Sequence, residues 1–123
     1  MNTLKVLSLF LILSLGMVSC GKDEEPVDST PPVITITAPA EGSVLLKGNT
    51  YPLVGTVTDD EELAEIDAGG VKITTFDSKT SHVIANVTLP IGANETSGGR
   101  TFTVTATDKE GNKSTKTVNF TIQ

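Results

Sequence analysis

The residues of this chain best able to do chemistry are acidic, and they fall in two short runs. Asp59, Asp60 and Glu61 follow one apolar, β-branched stretch, and Asp108 and Glu110 follow another. Carboxylate oxygens from several loops are the ligands that calcium takes in proteins, roughly six to eight at a time. We predict a calcium site at Asp59, Asp60 and Asp108. The alternative is that both runs are solvated turns whose aspartates cap the backbone, since the spacing of an EF-hand loop is absent.

Other reactive groups point away from catalysis. His82 is the single histidine, which excludes a metal site built from several histidines. The glycine pairs at residues 69–70 and 98–99 lack the spacing of a phosphate-binding loop. Two carboxylates working as acid and base would need an apolar pocket that separates their pKa values, and the sequence provides none. The sequence therefore predicts that the protein is not an enzyme and has no cofactor apart from calcium.

The elements that must position the acidic runs are β-strands. From Val33 onward, apolar residues alternate with threonine and other polar residues, and a period of two suits a half-buried strand. Turn-forming residues interrupt this pattern at intervals of roughly 8 to 12 residues, as they do in a β-sandwich. The pattern predicts seven strands at residues 33–37, 51–58, 63–68, 71–76, 83–89, 102–107 and 118–122. A helical turn at residues 61–65 is an alternative for the least regular part.

The alternation also predicts which side chains share a buried face of a strand. These sets are Ile34 with Ile36, then Leu53 with Gly55 and Val57, and in the fifth strand Val83, Ala85, Val87 and Leu89. The last two strands are expected to form a hairpin through residues 108–112, where Gly111 and Asn112 tolerate a positive φ.

The order of the strands predicts where the loops lie. In a seven-strand sandwich the loops after the second and sixth strands share one pole with the start of the first strand. This order brings Asp59 and Asp60 near Asp108 and sends the loop at residues 90–99 to the opposite pole. Loops often carry binding residues, so this distal loop is a candidate ligand site, with a plain connector as the alternative.

Composition limits the size and the partners of the folded part. The chain has 15 acidic and 9 basic side chains and a net charge of −6, so nucleic acid is a poor partner. Residues 33–123 are enough for one domain. Residues 20–32 contain a single aliphatic side chain, Val27, and end in two prolines. They are predicted to be a lipidated N-terminus and a disordered linker.

The N-terminus has the layout of a signal peptide. Lys5 precedes an apolar run of about 13 residues, well short of the roughly 20 that a membrane-spanning helix needs. Met17-Val18-Ser19-Cys20 resembles the bacterial lipobox. The resemblance implies that residues 1–19 are cleaved and that Cys20 is acylated as the first residue of the mature chain. The alternative is a secreted protein with a free cysteine near its start.

Two further motifs concern the location of the protein. Four charged residues follow the cysteine region: Lys22, Asp23, Glu24 and Glu25. They resemble the export signal that sends lipoproteins of the Bacteroidota to the cell surface, although a solvated tether is the alternative. Residues 28–30 resemble the O-glycosylation tripeptide of the same bacteria, with Ser29 as the acceptor. These resemblances imply a lipid anchor in the outer membrane and exposure at the cell surface.

The body of the chain also carries a resemblance. Pro31-Pro32-Val33-Ile34-Thr35-Ile36, Gly55-Thr56-Val57-Thr58-Asp59-Asp60 and the segment at residues 103–112 are similar to bacterial immunoglobulin-like modules of the fibronectin-like kind. The resemblance implies a seven-stranded immunoglobulin-like β-sandwich over residues 33–123. There is no cysteine pair or tryptophan, so the core must use aliphatic side chains with Phe102 and Phe120.

This family resemblance implies a non-enzymatic module for binding or structural display, with a protein or glycan as ligand. One alternative is a calcium-stabilised adhesion or glycan-binding module of the same fold. Another is an accessory subunit that docks onto a larger envelope complex through an exposed edge strand.

Overall fold

The computed structural model describes Gly21 and residues 24–123, and this part of the chain is all-β. Its eight strands are β1 (Val33–Ala38), β2 (Ser43–Leu45), β3 (Thr50–Thr58), β4 (Leu63–Ala68), β5 (Val71–Ile73), β6 (Ser81–Pro90), β7 (Gly98–Asp108) and β8 (Lys113–Ile122). Residues 24–32 have no regular secondary structure. Among the described residues, no helix is long and apolar enough to span a membrane.

The strands form two sheets in a sandwich-like arrangement. One sheet has the order β1-β3-β6, and the other has the order β2-β8-β7-β4-β5. The largest fully buried apolar side chains come from both sheets: Leu53, Val57 and Ile84 from the first, and Leu63, Ile66 and Val104 from the second. The inward faces therefore enclose one hydrophobic core, as the alternation predicted for β3. Phe102 and Phe120 are both part of it.

The C-terminal hairpin is confirmed. The strands β7 and β8 pair antiparallel from Gly98 with Ile122 to Thr107 with Lys113. Cross-strand threonine pairs stand on the exposed face of this hairpin, with Thr103 and Thr117 hydroxyls 3.4 Å apart. Such pairs fit the strict alternation of apolar and threonine residues, because every second side chain leaves the core.

The prediction of seven strands differs from the structure by one. The additional strand is β2, which pairs parallel with β8 from Ser43 with Phe120 to Leu45 with Ile122. Three residues are too short to display a period of two, so alternation alone does not reveal the strand. Through β2, the chain passes from the three-stranded sheet to the edge of the five-stranded sheet.

The predicted buried face of β6 is wrong in its first half. Gly55 pairs with Ile84 but Leu53 pairs with Val87, so β6 has one residue more than β3 over this stretch. This β-bulge reverses the alternation. Ile84 and Val87 are buried, whereas Val83 is 50% exposed and Ala85 faces solvent.

The middle of the chain is a short hairpin. The strand β4 begins at Leu63, so residues 63–65 are strand and not part of a helical turn. Gly69 and Gly70 join β4 to β5 with φ of 63° and 96°, as a two-residue loop with two left-handed positions requires. The strand β5 ends at Ile73, three residues before the predicted end. Beyond it, Asp77 Oδ2 accepts a hydrogen bond of 2.7 Å from the backbone N–H of Val83.

Candidate functional site

The acidic residues singled out in the sequence meet at one end of the sandwich, which we call the acidic pole and define by Asp28, Asp59, Asp60, Asp108 and Glu110. The strand β1 begins at this end, because Val33 pairs with Thr58. The strands β3 and β7 end there, and Leu63 at the start of β4 pairs with Asp108. The topology predicted from the sequence therefore brings the two acidic runs together.

Asp108 is buried and shapes the turn between β7 and β8. The whole residue is only 2% exposed. Oδ1 accepts a hydrogen bond of 2.7 Å from the backbone N–H of Asn112, and Oδ2 accepts one of 2.7 Å from the Asn112 side-chain amide. Burial alone would raise the pKa of Asp108, but the hydrogen bonds from Asn112 and the turn backbone outweigh it and lower this pKa. The carboxylate therefore stays ionised and holds Asn112 in place.

Asn112 connects this turn to the segment before β1. Its side-chain Nδ2 also donates a hydrogen bond of 3.0 Å to the backbone carbonyl of Asp28. Asp28 in turn accepts a hydrogen bond of 2.8 Å from the backbone N–H of Thr30. The carboxylate of Asp28 thereby joins the acidic pole, which sequence reasoning missed. The predicted start of the first strand placed the upstream segment near this pole, but nothing in the sequence marked Asp28 as attached there.

Asp59 sits in a less favourable environment for a charge. Its Oδ2 accepts a hydrogen bond of 3.1 Å from the backbone N–H of Glu61. Its Oδ1 is buried without a hydrogen-bond partner, and the same holds for Oδ2 of Asp28. Desolvation raises the pKa of Asp59 most, and the charges of Asp108 and Asp60 add to the increase. Unpaired carboxylate oxygens in such a place are costly unless a cation or a proton neutralises them.

The carboxylates form two overlapping groups that could hold a cation. One contains Asp28, Asp59 and Asp60, and the other contains Asp28, Asp108 and Glu110, each with ligand oxygens within 4.8 Å of one another. The three residues predicted from the sequence thus fall in different groups that share Asp28. Since both oxygens of Asp108 already accept hydrogen bonds, the first group has more oxygen atoms available for a cation.

A groove of about 590 Å³ lies beside these groups, between the upstream segment and the loops of the pole. Four of its lining residues are acidic: Glu25, Asp28, Glu61 and Glu110. Desolvation raises the pKa of Glu110, and repulsion from Asp108, Asp28 and Glu61 adds to this effect. The electrostatic environment of this groove therefore favours cations over anions.

The opposite pole carries the distal loop, which spans residues 91–97 because Pro90 and residues 98–99 belong to strands. Ile91 is fixed by two backbone hydrogen bonds of 2.8 Å, one from Gly48 N–H to its carbonyl and one from its own N–H to the Asn49 carbonyl. The Arg100 guanidinium donates to the carbonyl of Thr96 at 3.1 Å. Both ends of this loop are therefore attached to the sandwich.

His82 lies near the start of β6, opposite Val57 and close to the acidic pole, but it belongs to neither carboxylate group. Its Nδ1 lies 3.3 Å from Asp77 Oδ2, and its ring meets Phe76 edge-on at 5.7 Å between centroids. These contacts are with the loop that follows β5, which supports a structural role at the edge of the sheet.

Several predicted residues concern the N-terminal region. Residues 1–19, Cys20, Lys22 and Asp23 lie outside the described residues, and the signal peptide, the lipidation site and the whole export signal remain predictions. Glu24, Glu25 and Ser29 are exposed.

No protein family model matches the chain, and no curated protein matches it significantly.

Proposed function

We propose that this protein is a lipoprotein, attached to the outer membrane through acyl chains on Cys20 and exposed at the cell surface. In this proposal its single immunoglobulin-like β-sandwich acts as a non-enzymatic module for binding or structural display. The lipobox-like residues 17–20 and the export-signal-like residues 22–25 support the location. The two-sheet architecture supports the nature of the folded part.

The order of the strands supports the immunoglobulin-like assignment. Immunoglobulin-type sandwiches place strands A, B and E in one sheet and strands C, F and G in the other. Here β1, β3 and β6 correspond to A, B and E, and β4, β7 and β8 correspond to C, F and G. The short strands β2 and β5 extend the edges of the second sheet.

The observation that carries the display role is the separation of the two poles. The upstream segment meets the sandwich at the acidic pole, whereas the loop at residues 91–97 lies at the other end. The strand β7 connects the poles with 11 residues, which corresponds to about 35 Å at roughly 3.3 Å per residue. A protein or glycan ligand at the distal loop would therefore be held away from the membrane.

The contacts of Asp108 and His82 support structural roles for these two side chains. Asp108 accepts hydrogen bonds from its own turn, and His82 lies against Asp77 on a loop. Both groups are thus engaged in contacts with their own turn or a neighbouring loop, which supports assigning them structural roles in this proposal.

Metabolic labelling with an alkyne fatty-acid analogue tests the anchor. The parent protein should incorporate the label and Cys20→Ala should not. Protease treatment of intact cells should then remove the domain from the parent strain, with a periplasmic protein as the control for envelope integrity. A parent protein that takes up no label, or a domain that survives on intact cells, contradicts the proposal.

The second candidate function is that of a calcium-stabilised module of the same fold. The observation that favours it is the pair of buried, unpartnered oxygens, Asp28 Oδ2 and Asp59 Oδ1. They belong to one group with Asp60, with ligand oxygens within 4.8 Å of one another. A hard dication at this point would supply the missing partner for both oxygens.

Thermal melting of the full-length lipoprotein in detergent tests this candidate. A cation that binds only the folded state adds about 2.7 kcal/mol at a concentration of 100 times its dissociation constant. We expect calcium to raise the Tm by more than about 5 °C relative to chelator, which is within the range for a domain of this size. Asp59→Asn should abolish the increase, whereas Asp67→Asn, on the outer face of β4, should retain it. A Tm indifferent to calcium and chelator refutes the metal site.

A further inference from the structure

The segment before β1 is attached to the sandwich earlier than its composition predicts. Glu24 and the next three residues are exposed, but Asp28 is half-buried and Pro32 is buried. The contact at Asp28 is the hydrogen bond of 3.0 Å from Asn112 Nδ2 to the Asp28 carbonyl. A local turn, in which Asp28 Oδ1 accepts from Thr30 N–H at 2.8 Å, stiffens the backbone at the same place.

Asn112 is suited to this contact because a side-chain amide has two N–H donors. One donor is used on Asp108 Oδ2 at 2.7 Å and the other on the Asp28 carbonyl at 3.0 Å. Asp108 also accepts the backbone N–H of Asn112 at 2.7 Å, so the amide is oriented from two sides. An aspartate at position 112 would offer no donor in its ionised form, and an alanine would offer no polar group.

We propose that Asn112 is a latch that holds the upstream segment at Asp28 and so sets the point at which the tether from Cys20 joins the folded domain. Asp108 acts through Asn112 as a positioning residue. The consequence for the cell rests on the proposed lipid anchor at Cys20. With the latch closed, about eight residues connect the anchor to the body, and their reach is at most about 26 Å at roughly 3.3 Å per residue. Without it, the free chain extends to Pro32 and reaches about 40 Å.

Nuclear magnetic resonance relaxation of the full-length lipoprotein in detergent micelles tests the latch. Spectra recorded in chelator remove any contribution from calcium. Backbone order parameters should rise from below about 0.6 at Glu24 and Glu25 to about 0.85 at Asp28 and Thr30, because the first value is typical of mobile and the second of rigid backbone. The profile of the parent protein can overturn the proposal by itself, so the test does not depend on a variant that folds. An order parameter at Asp28 and Thr30 as low as that of Glu24 overturns it.

Two variants then assign the effect to Asn112. Asn112→Ala should lower the order parameters at Asp28 and Thr30 to below about 0.6 while those of β3 stay unchanged. The matched control is Asn119→Ala, because Asn119 Nδ2 donates a hydrogen bond of 2.7 Å to Glu41 Oε1 elsewhere on the sandwich. If Asn112→Ala folds and keeps the profile of the parent, the latch is refuted.

The outcome is separable from those of the other proposals. Asp28→Asn removes a carboxylate from the candidate cation site but keeps the backbone carbonyl that Asn112 contacts, so the latch should persist while calcium stabilisation is lost. Cys20→Ala should leave the order parameters unchanged, since the latch lies within the folded part. A failure of fatty-acid labelling would therefore remove the anchor without removing the latch.

Discussion

Gly69, the first residue of the turn between β4 and β5, tests how closely this turn packs against the ring of Phe102. Its φ of +63° is a left-handed conformation. A Cβ added there would lie 2.4 Å from Cε2 and 2.8 Å from Cζ of Phe102, distances that carbon atoms do not tolerate. Phe102 is only 9% exposed and belongs to the core, so its ring has little freedom to move away.

Two costs add up in Gly69→Ala. The left-handed backbone costs a residue with a Cβ about 1 kcal/mol. Forcing additional carbon into a packed site costs about 1 to 3 kcal/mol. We therefore expect the free energy of unfolding to fall by about 2 to 4 kcal/mol, a large fraction of the stability of a small domain.

Urea denaturation followed by circular dichroism measures this loss, and Gly70→Ala is the matched control. Gly70 has a φ of +96° and open space where its Cβ would be. Its φ lies farther from the left-handed minimum near +57°, so its backbone strain is at least as large as that of Gly69. A larger loss at Gly69 therefore measures the contact with Phe102.

The same comparison in a Phe102→Leu background completes the test. The smaller side chain should recover part of the cost of Gly69→Ala, which a double-mutant cycle measures directly. Equal losses for the two glycine variants, or a Gly69 loss that Phe102→Leu does not reduce, would refute the reasoning.

Three further predictions follow from individual contacts. Desolvation raises the pKa of Asp59 in the folded state, so folding favours the protonated carboxyl. The resulting contribution to the free energy of unfolding is fully present below the unfolded-state pKa, and it is lost as the pH rises through the folded-state pKa. In chelator, the Tm of Asp59→Asn minus that of the parent should therefore grow as the pH rises from about 4, and a constant difference contradicts this. Val83→Asp should change stability by less than about 0.5 kcal/mol, whereas Val87→Asp should prevent folding in circular dichroism, and equal effects would contradict the bulge in β6. Tyr51→Phe removes the hydroxyl that accepts a hydrogen bond of 2.8 Å from Leu46 N–H, and should cost about 0.5 to 1.5 kcal/mol in urea titration.

The strands could be predicted from the sequence wherever alternation is long and uninterrupted. Residues 102–107 and 118–122 alternate strictly, and their pairing in β7 and β8 follows. The bulge in β6 could not be predicted, because Val83, Ala85 and Val87 alternate in the sequence while the backbone inserts one residue between them. Alternation reports the period of a strand and carries no information on a local change of register.

The location of the acidic pole was predictable from the sequence, but its full set of residues was not. Topology alone brings Asp59 and Asp108 to one end, and the structure places both there. The inclusion of Asp28 depends on the side chain of Asn112, a contact across 84 positions of the sequence. Composition predicted an unattached linker for residues 20–32. The attachment is one hydrogen bond to a backbone carbonyl, and such a bond leaves no signature in the residues that it restrains.

The parallel pairing of β2 with β8 determines how the domain responds to tension. The chain enters at the acidic pole and runs through β1 into β2, whereas β8 runs toward Gln123 at the other end, where Gln123 and Leu45 are joined by a backbone hydrogen bond of 3.0 Å. A pull between the segment before β1 and Gln123 drags the two strands past each other along their length. The ladder is thus loaded in shear, and its hydrogen bonds resist the force together instead of opening one after another.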